Sequence, residues 1–209
     1  MFFQYIIYTK QEYNRIKLTN YFFIRRVYVI FASMRKIILI TGGQRSGKST
    51  YAEQLALSMS KNPIYIATAH IWDEEFRQRV LMHQERRGPQ WENIEEEKNL
   101  SSLYIYNKVA VIDCVTLWCT NFFFNKDASE DHQPTVAQAL DEIKKEFDSF
   151  TQQDATFIFV TNEIGCGGTS DNHIQRRFTD MLGWMNQYIA SRADEVIMTV
   201  CGIPVKIKG

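Results

Sequence analysis

ITGGQRSGKSTYAEQLA, residues 40–56, joins an apolar, β-branched run to a stretch with helical spacing. Within it, Gly42, four further residues, and then Gly47-Lys48-Ser49 satisfy the G-x-x-x-x-G-K-[ST] pattern of a phosphate-binding loop (P-loop). Each residue type has a physical reason to be there. Glycine lets the backbone approach phosphate oxygens and adopt positive φ. Loop amides and the start of the following helix direct partial positive charge at an anion. Lys48 adds a full charge for the terminal phosphates, and the Ser49 hydroxyl suits Mg²⁺. Gly42, Gly43, Gln44, Arg45, Ser46, Gly47, Lys48 and Ser49 are therefore the first candidate nucleotide-binding residues.

Working outward from this loop, short apolar runs alternate with helical patterns. Strands are expected at 37–40, 64–67, 109–112, 157–160 and 196–200, with a short final one at 205–207. Helices are expected at 50–59, 74–87, 136–150 and 172–191, the third carrying Val136, Ala139, Leu140, Ile143 and Phe147 on one face. This order implies an α/β fold of the P-loop NTPase type: a mostly parallel central sheet with helices on both faces. Ligands of such sheets bind beyond the carboxyl ends of the strands. Three expected strands end in polar residues there: the loop 42–49, Asp113, and Asn162-Glu163.

Composition narrows the class. The 209 residues are 45% hydrophobic and 23% charged, with zero formal net charge. Nonspecific binding to nucleic acid or to an anionic membrane calls for a basic excess, which is absent. Residues 1–33 are aromatic-rich, lack glycine and proline, and contain a single acid, Glu12. Arg25 and Arg26 interrupt their best apolar run, so it falls short of the roughly 18 residues a membrane span requires. This segment is read as an extension outside the fold, and residues 34–209 as one domain. The four cysteines, Cys114, Cys119, Cys166 and Cys201, form no C-x-x-C pair. They fit neither a zinc site nor a disulfide scaffold, which points to a reducing, cytoplasmic setting with most of them buried as small hydrophobes.

Two carboxylates are candidates for chemistry. Asp113 and Glu163 each follow a strand, where they can hold Mg²⁺ or take a proton from a substrate hydroxyl. The stretch FRQRVLMHQERRGPQW, residues 76–91, adds a histidine. Phe76, Val80, His83 and Arg87 share one helical face, a setting that by itself favours a packed, hydrogen-bonded imidazole over a reactive one. Arg45, Arg79, Arg86 and Arg87 can steady phosphates; for the last three, a solvated helix face is the alternative. His70, His132 and His173 are read as surface or loop residues. Trp118, Phe122, Phe123 and Phe124 are read as core or subunit contact.

In order along the chain, ITGGQRSGKS, YIATA, RVLMHQERRGPQW, DCVTLWCTN, TNEIG and NQYIASRADEVIMTVCGIPVKIK resemble the bifunctional adenosylcobinamide kinase/adenosylcobinamide-phosphate guanylyltransferase family of cobalamin biosynthesis. The resemblance spans roughly residues 35–208. It implies that His83 is a covalent nucleophile that accepts GMP from GTP. It further implies two transfers, a γ-phosphate from ATP or GTP to adenosylcobinamide and then GMP to the resulting phosphate, giving adenosylcobinamide-GDP. Mg²⁺ as cofactor and a homotrimer are implied with it. Two departures stand out. The family carries R-P where this chain has RRGPQW, with Pro89 one place later, and GCGGTSDN replaces a proline-containing loop after TNEIG. A simple P-loop kinase without a covalent intermediate, and a nucleotide-binding regulatory ATPase, are the competing readings.

Overall fold

The computed structural model describes residues 35–70, 74, 78, 87–124 and 133–209, all within the compact unit Arg35–Gly209. The strands are β1 (Lys36–Thr41), β2 (Ile64–Ala67), β3 (Glu92–Glu95), β4 (Val109–Asp113), β5 (Thr156–Val160), β6 (Glu195–Val200) and β7 (Ile203–Lys208). The helices are α1 (Lys48–Met59), α2 (Val115–Phe123), α3 (Val136–Phe150) and α4 (His173–Arg192). One seven-stranded sheet runs β3-β2-β4-β5-β1-β6-β7. Every pairing is parallel except β6 with β7.

The central strands are buried on both faces, as covered parallel strands must be. In β1, Ile37, Ile38, Leu39 and Ile40 are all at most 2% exposed. The alternation of side chains splits the core in two. One face of the sheet packs Ile37, Leu39, Phe157 and Phe159 against α2, α3 and α4. The other packs Ile38, Ile40, Ile158 and Val160 with Ala52 and Ala56 of α1. The α3 stripe of Ala139, Ile143, Phe147 and Phe150 is fully buried. A capping box starts that helix: the Thr135 side chain accepts from the Gln138 amide while the Gln138 side chain accepts from the Thr135 amide.

The expected elements within the described residues are present. A further strand and a further α-helix appear, with short 3-10 turns of helix at Leu100–Ser102 and Gly165–Gly167. β3 is an edge strand whose ENIE sequence has one apolar residue, and its parallel pairing to β2 rather than any alternation defines it. α2, VTLWCTNFF, is apolar nearly all round, so no 3.6-residue period marks it. Of the helix expected over 74–87, Glu74 and Gln78 are helical, but Arg87 lies in a bend beyond it. The rest of that helix, including Phe76, Arg79, Val80, His83 and Arg86, lies outside the described residues, as do His132 and the segment 1–34. The cysteine expectation is corrected: Cys114 and Cys119 are buried, whereas Cys166, in a short 3-10 helix, and Cys201, in the β6–β7 turn, are exposed. Trp118, Phe122 and Phe123 belong to the core, while Phe124 is exposed.

Candidate nucleotide site

β1, β5 and β4 lie side by side, so their carboxyl ends meet along one edge. The loop between β1 and α1 bends through Gly42 at φ 152°, Arg45 at φ 58° and Gly47 at φ 94°. A Cβ on Gly42 would come within 2.5 Å of the Thr199 carbonyl, and one on Gly47 within 3.1 Å of the Gly202 Cα. Gly42 is therefore required for conformation and for space, and Gly47 for conformation, with a tight approach to the β6–β7 turn besides. The β6–β7 turn supports the loop from behind: the Gly202 amide donates to the Ser46 carbonyl at 2.9 Å, and the Ser46 and Thr199 hydroxyls are 2.8 Å apart.

α1 begins at Lys48 with Gly47 before it, and no side chain caps its first turn. The amides left open there, and the helix dipole, face the same edge. Lys48 is buried and donates from Nζ to the Gly43 carbonyl at 2.6 Å, across its own loop. Burial lowers its pKa from the ordinary lysine value, and the charge of Asp113 opposes that shift. A cavity of about 350 Å³ lies over the loop, lined by residues 44–50 together with Asp113, Cys114 and Asn162. The Cys114 thiol beside it is pushed up to about 12 by burial and by Asp113, which leaves it protonated and unreactive.

Asp113 ends β4, opposite Ala67 of β2. Its Oδ2 accepts from the Tyr65 hydroxyl at 2.8 Å. Burial, followed by the charge of Asp113, holds the Tyr65 hydroxyl well above its ordinary pKa, so it remains a donor. Asn162 reaches the cavity because the turn after β5 is fixed from two sides. Its amide donates to the Thr116 hydroxyl at 3.0 Å, and the next amide, Glu163, donates to the Gly42 carbonyl at 3.0 Å. The Glu163 carboxylate itself accepts the Gly165 amide at 2.8 Å and does not line the cavity.

Of the residues expected from the sequence, the structure gathers Gln44, Arg45, Ser46, Gly47, Lys48, Ser49 and Asp113 around the cavity, with Gly42 and Gly43 in the same loop but not on its wall and Glu163 one residue beyond it. Arg87 sits elsewhere. It is 8% exposed, against the alternative of a solvated helix face. Its guanidinium lies 3.5 Å from the centre of the Tyr65 ring, Nε donates to Asn93 Oδ1 at 2.9 Å, and Nη1 stands 3.9 Å from Glu53 Oε1. Tyr65 and Glu53 are the residues that motif reading missed. The signal for Tyr65 was its place in IYIA: it alternates with two core isoleucines and so faces away from them. Of the other histidines, His70 Nδ1 lies 2.6 Å from Glu97 Oε1, and His173 opens α4 on the surface.

The donor chemistry fits Mg²⁺. The Ser49 hydroxyl, beside those of Ser46 and Thr50, and the carboxylate of Asp113 line a space for phosphate, and this cation keeps water and phosphate oxygens as its other ligands. Among the described residues, no group of three or more His, Cys, Asp or Glu gathers as a protein-only metal cage would need. A second cavity, of about 570 Å³, lies between the turn at Gly165–Gly168 and α4, with Trp184, Arg176 and Asp180 on its walls.

The family model described as cobinamide kinase / cobinamide phosphate guanyltransferase matches residues 38–207. The bifunctional adenosylcobalamin biosynthesis protein CobU of Escherichia coli is 37% identical over 181 residues, covering 82% of this chain and 99% of that protein. The corresponding CobP of Pseudomonas aeruginosa is 36% identical over 177 residues, covering 82% of this chain and 96% of its own. Among solved structures, flagellar accessory protein FlaH from Methanocaldococcus jannaschii is similar at 17% identity and a TM-score of 0.42, over 83% of this chain and 78% of that one.

Proposed function

The chain belongs to the cobinamide kinase / cobinamide phosphate guanyltransferase family, and from that premise we propose how its residues divide the two transfers. It is a kinase and guanylyltransferase of adenosylcobalamin biosynthesis. In the first transfer the hydroxyl of the aminopropanol arm of adenosylcobinamide attacks the γ-phosphorus of ATP or GTP. The P–O bond to the β-phosphate breaks and the nucleoside diphosphate leaves. The loop amides of residues 42–49 cradle the phosphates, and Lys48 exchanges its bond to the Gly43 carbonyl for the phosphate oxygens. Such a step depends chiefly on positioning and charge. Mg²⁺, held by Ser49 and through Asp113, would neutralise charge on the β- and γ-oxygens. Asn162 orients the phosphate or the acceptor from the cavity wall. Glu163, held against Gly165, receives the hydroxyl proton once the acceptor reaches it. The larger cavity beside the same β5–α4 connection takes the acceptor's arm.

In the second transfer a neutral ring nitrogen of His83 attacks the α-phosphorus of GTP. The bond to the β-phosphate breaks, pyrophosphate leaves and a phosphoramidate forms. An oxygen of adenosylcobinamide phosphate then attacks that phosphorus, the P–N bond breaks, and His83 is released. Arg87, four residues after His83 and buried against Tyr65, Asn93 and Glu53, acts as an anchor of the chain there rather than as a ligand of the nucleotide. The enzyme is proposed to act in the cytoplasm, a reading that follows the cysteine pattern, and as a homotrimer, a reading that follows the family resemblance.

The observation that carries the reading is the shared edge: the glycine loop, Lys48, Ser49 and Asp113 around one cavity, in a chain matched to the family from residue 38 to 207. The test uses GTP labelled at the α- or the γ-phosphate. Protein-bound label, acid-labile and alkali-stable, is expected from the α-label alone, and His83→Ala abolishes it. Lys48→Ala lowers phosphorylation of adenosylcobinamide about a hundredfold or more. A simple kinase would transfer γ-label to the corrinoid with none retained on protein. A regulatory ATPase would label neither.

A further inference from the structure

Tyr65 touches both halves of the machinery. It stands on β2, 5% exposed, and its two ends have different partners. The hydroxyl donates to Asp113 Oδ2 at 2.8 Å. The ring carries the Arg87 guanidinium on one face at 3.5 Å and meets the Trp91 edge, with centroids 6.1 Å apart. Glu53 approaches the same guanidinium at 3.9 Å from α1, five residues after Lys48. Arg87 is thus seated by a cation–π contact, by Asn93 and by a carboxylate on the P-loop's own helix. Among the described residues, its Nη1 finds no hydrogen-bond acceptor, although it is buried. A buried guanidinium offsets its desolvation only where its partners hold it in a good geometry. Here that seat is an aromatic ring whose far end is fixed to the carboxylate of the phosphate site.

We propose that Tyr65 is a positioning residue shared by the two transfers: its hydroxyl sets Asp113 for the metal–nucleotide, and its ring seats Arg87, four residues after His83 in the chain. The inference rests on the reading in which Asp113 serves Mg²⁺ and His83 takes GMP. The two functions of one side chain separate by substitution. Tyr65→Phe removes the hydroxyl and keeps the ring, whereas Tyr65→Leu removes both.

The experiment measures binding of a non-hydrolysable ATP analogue to the full chain by titration calorimetry, with and without Mg²⁺. It then measures the rate of GMP attachment at saturating Mg²⁺. Wild type binds more tightly with Mg²⁺, and Tyr65→Phe is expected to shrink that gain about tenfold, the size of one hydrogen bond to a charged group. Binding without Mg²⁺ and GMP attachment at saturating Mg²⁺ stay within about twofold of wild type, since cation–π seating is retained. On an Asp113→Asn background the same change has no further effect, because it acts through that carboxylate. Tyr65→Leu slows GMP attachment even at saturating Mg²⁺. Should Tyr65→Leu not fold, Arg87→Lys, which keeps the charge but loses the stacked plane, carries the same expectation. A Tyr65→Phe protein with an undiminished Mg²⁺ gain, or effects of Tyr65→Phe and Asp113→Asn that simply add, overturns the role of the hydroxyl. GMP attachment at the wild-type rate in Tyr65→Leu or Arg87→Lys overturns the role of the ring. A wild-type protein that binds no nucleotide or takes up no GMP contradicts the reading of function instead.

Discussion

At the scale of single residues, the site is a set of close approaches that leave no room for alternatives. Gly42 carries a positive φ, and any Cβ there would press on both Thr199 and Ser46. Gly42→Ala must therefore displace the β6–β7 turn or reshape the loop. We expect it to lower stability by about 1–3 kcal/mol and to weaken nucleotide binding, both read from urea melts and nucleotide titration. An unchanged melt with full binding would show that the loop tolerates the methyl. Motif reading found this residue, Lys48 and Asp113 because their chemistry is written in type and spacing. It found neither Tyr65 nor Glu53, because what matters there is which side chains the sheet brings together: Tyr65 is 48 positions from Asp113 in sequence, and the register of β2 on β4 makes them neighbours.

At the scale of elements, periodicity told most. α3 and β1 are legible because one buried stripe, or one run buried on both faces, decides each. β3 and α2 were not, for opposite reasons. One has almost no apolar residues, and the other has them on nearly every side, so neither has a contrast to read. The edge of the sheet makes a pH prediction. Glu195 on β6 pairs with Lys36 on β1 at 2.5 Å and with Lys206 on β7 at 3.0 Å. Its hydrogen bond to Lys36, then that to Lys206, lowers its pKa below the ordinary carboxylate value. A lowered carboxylate contributes stability that is present above the unfolded-state pKa and lost as pH falls through the folded-state value. The pair is partly exposed, so the contribution is under about 1 kcal/mol. Glu195→Gln is expected to flatten that acid-side loss in urea midpoints measured from neutral to acid pH, with the difference from wild type vanishing at the acid end. An equal difference at every pH would place the effect in packing rather than charge.

At the scale of the whole molecule, a parallel sheet gathers what the chain scatters. The loop at 42–49, Asp113 and Asn162 are far apart in sequence, yet adjacent strands β1, β5 and β4 deliver them to one cavity. The expectation that polar strand ends would meet came from alternating strands and helices alone, and the structure meets it. His83 itself lies outside the described residues. The domain is proposed to begin at residue 34, so a chain lacking 1–33 is expected to retain both transfers and its melting temperature. Loss of either would make the segment part of the working enzyme. The most direct measurement of the central claim is peptide mapping by mass spectrometry of protein quenched during turnover with GTP and without acceptor. The account predicts one guanylylated peptide, with the modification on His83, that disappears when adenosylcobinamide phosphate is added. Guanylate on another side chain, or an unmodified protein that still makes adenosylcobinamide-GDP, would contradict it.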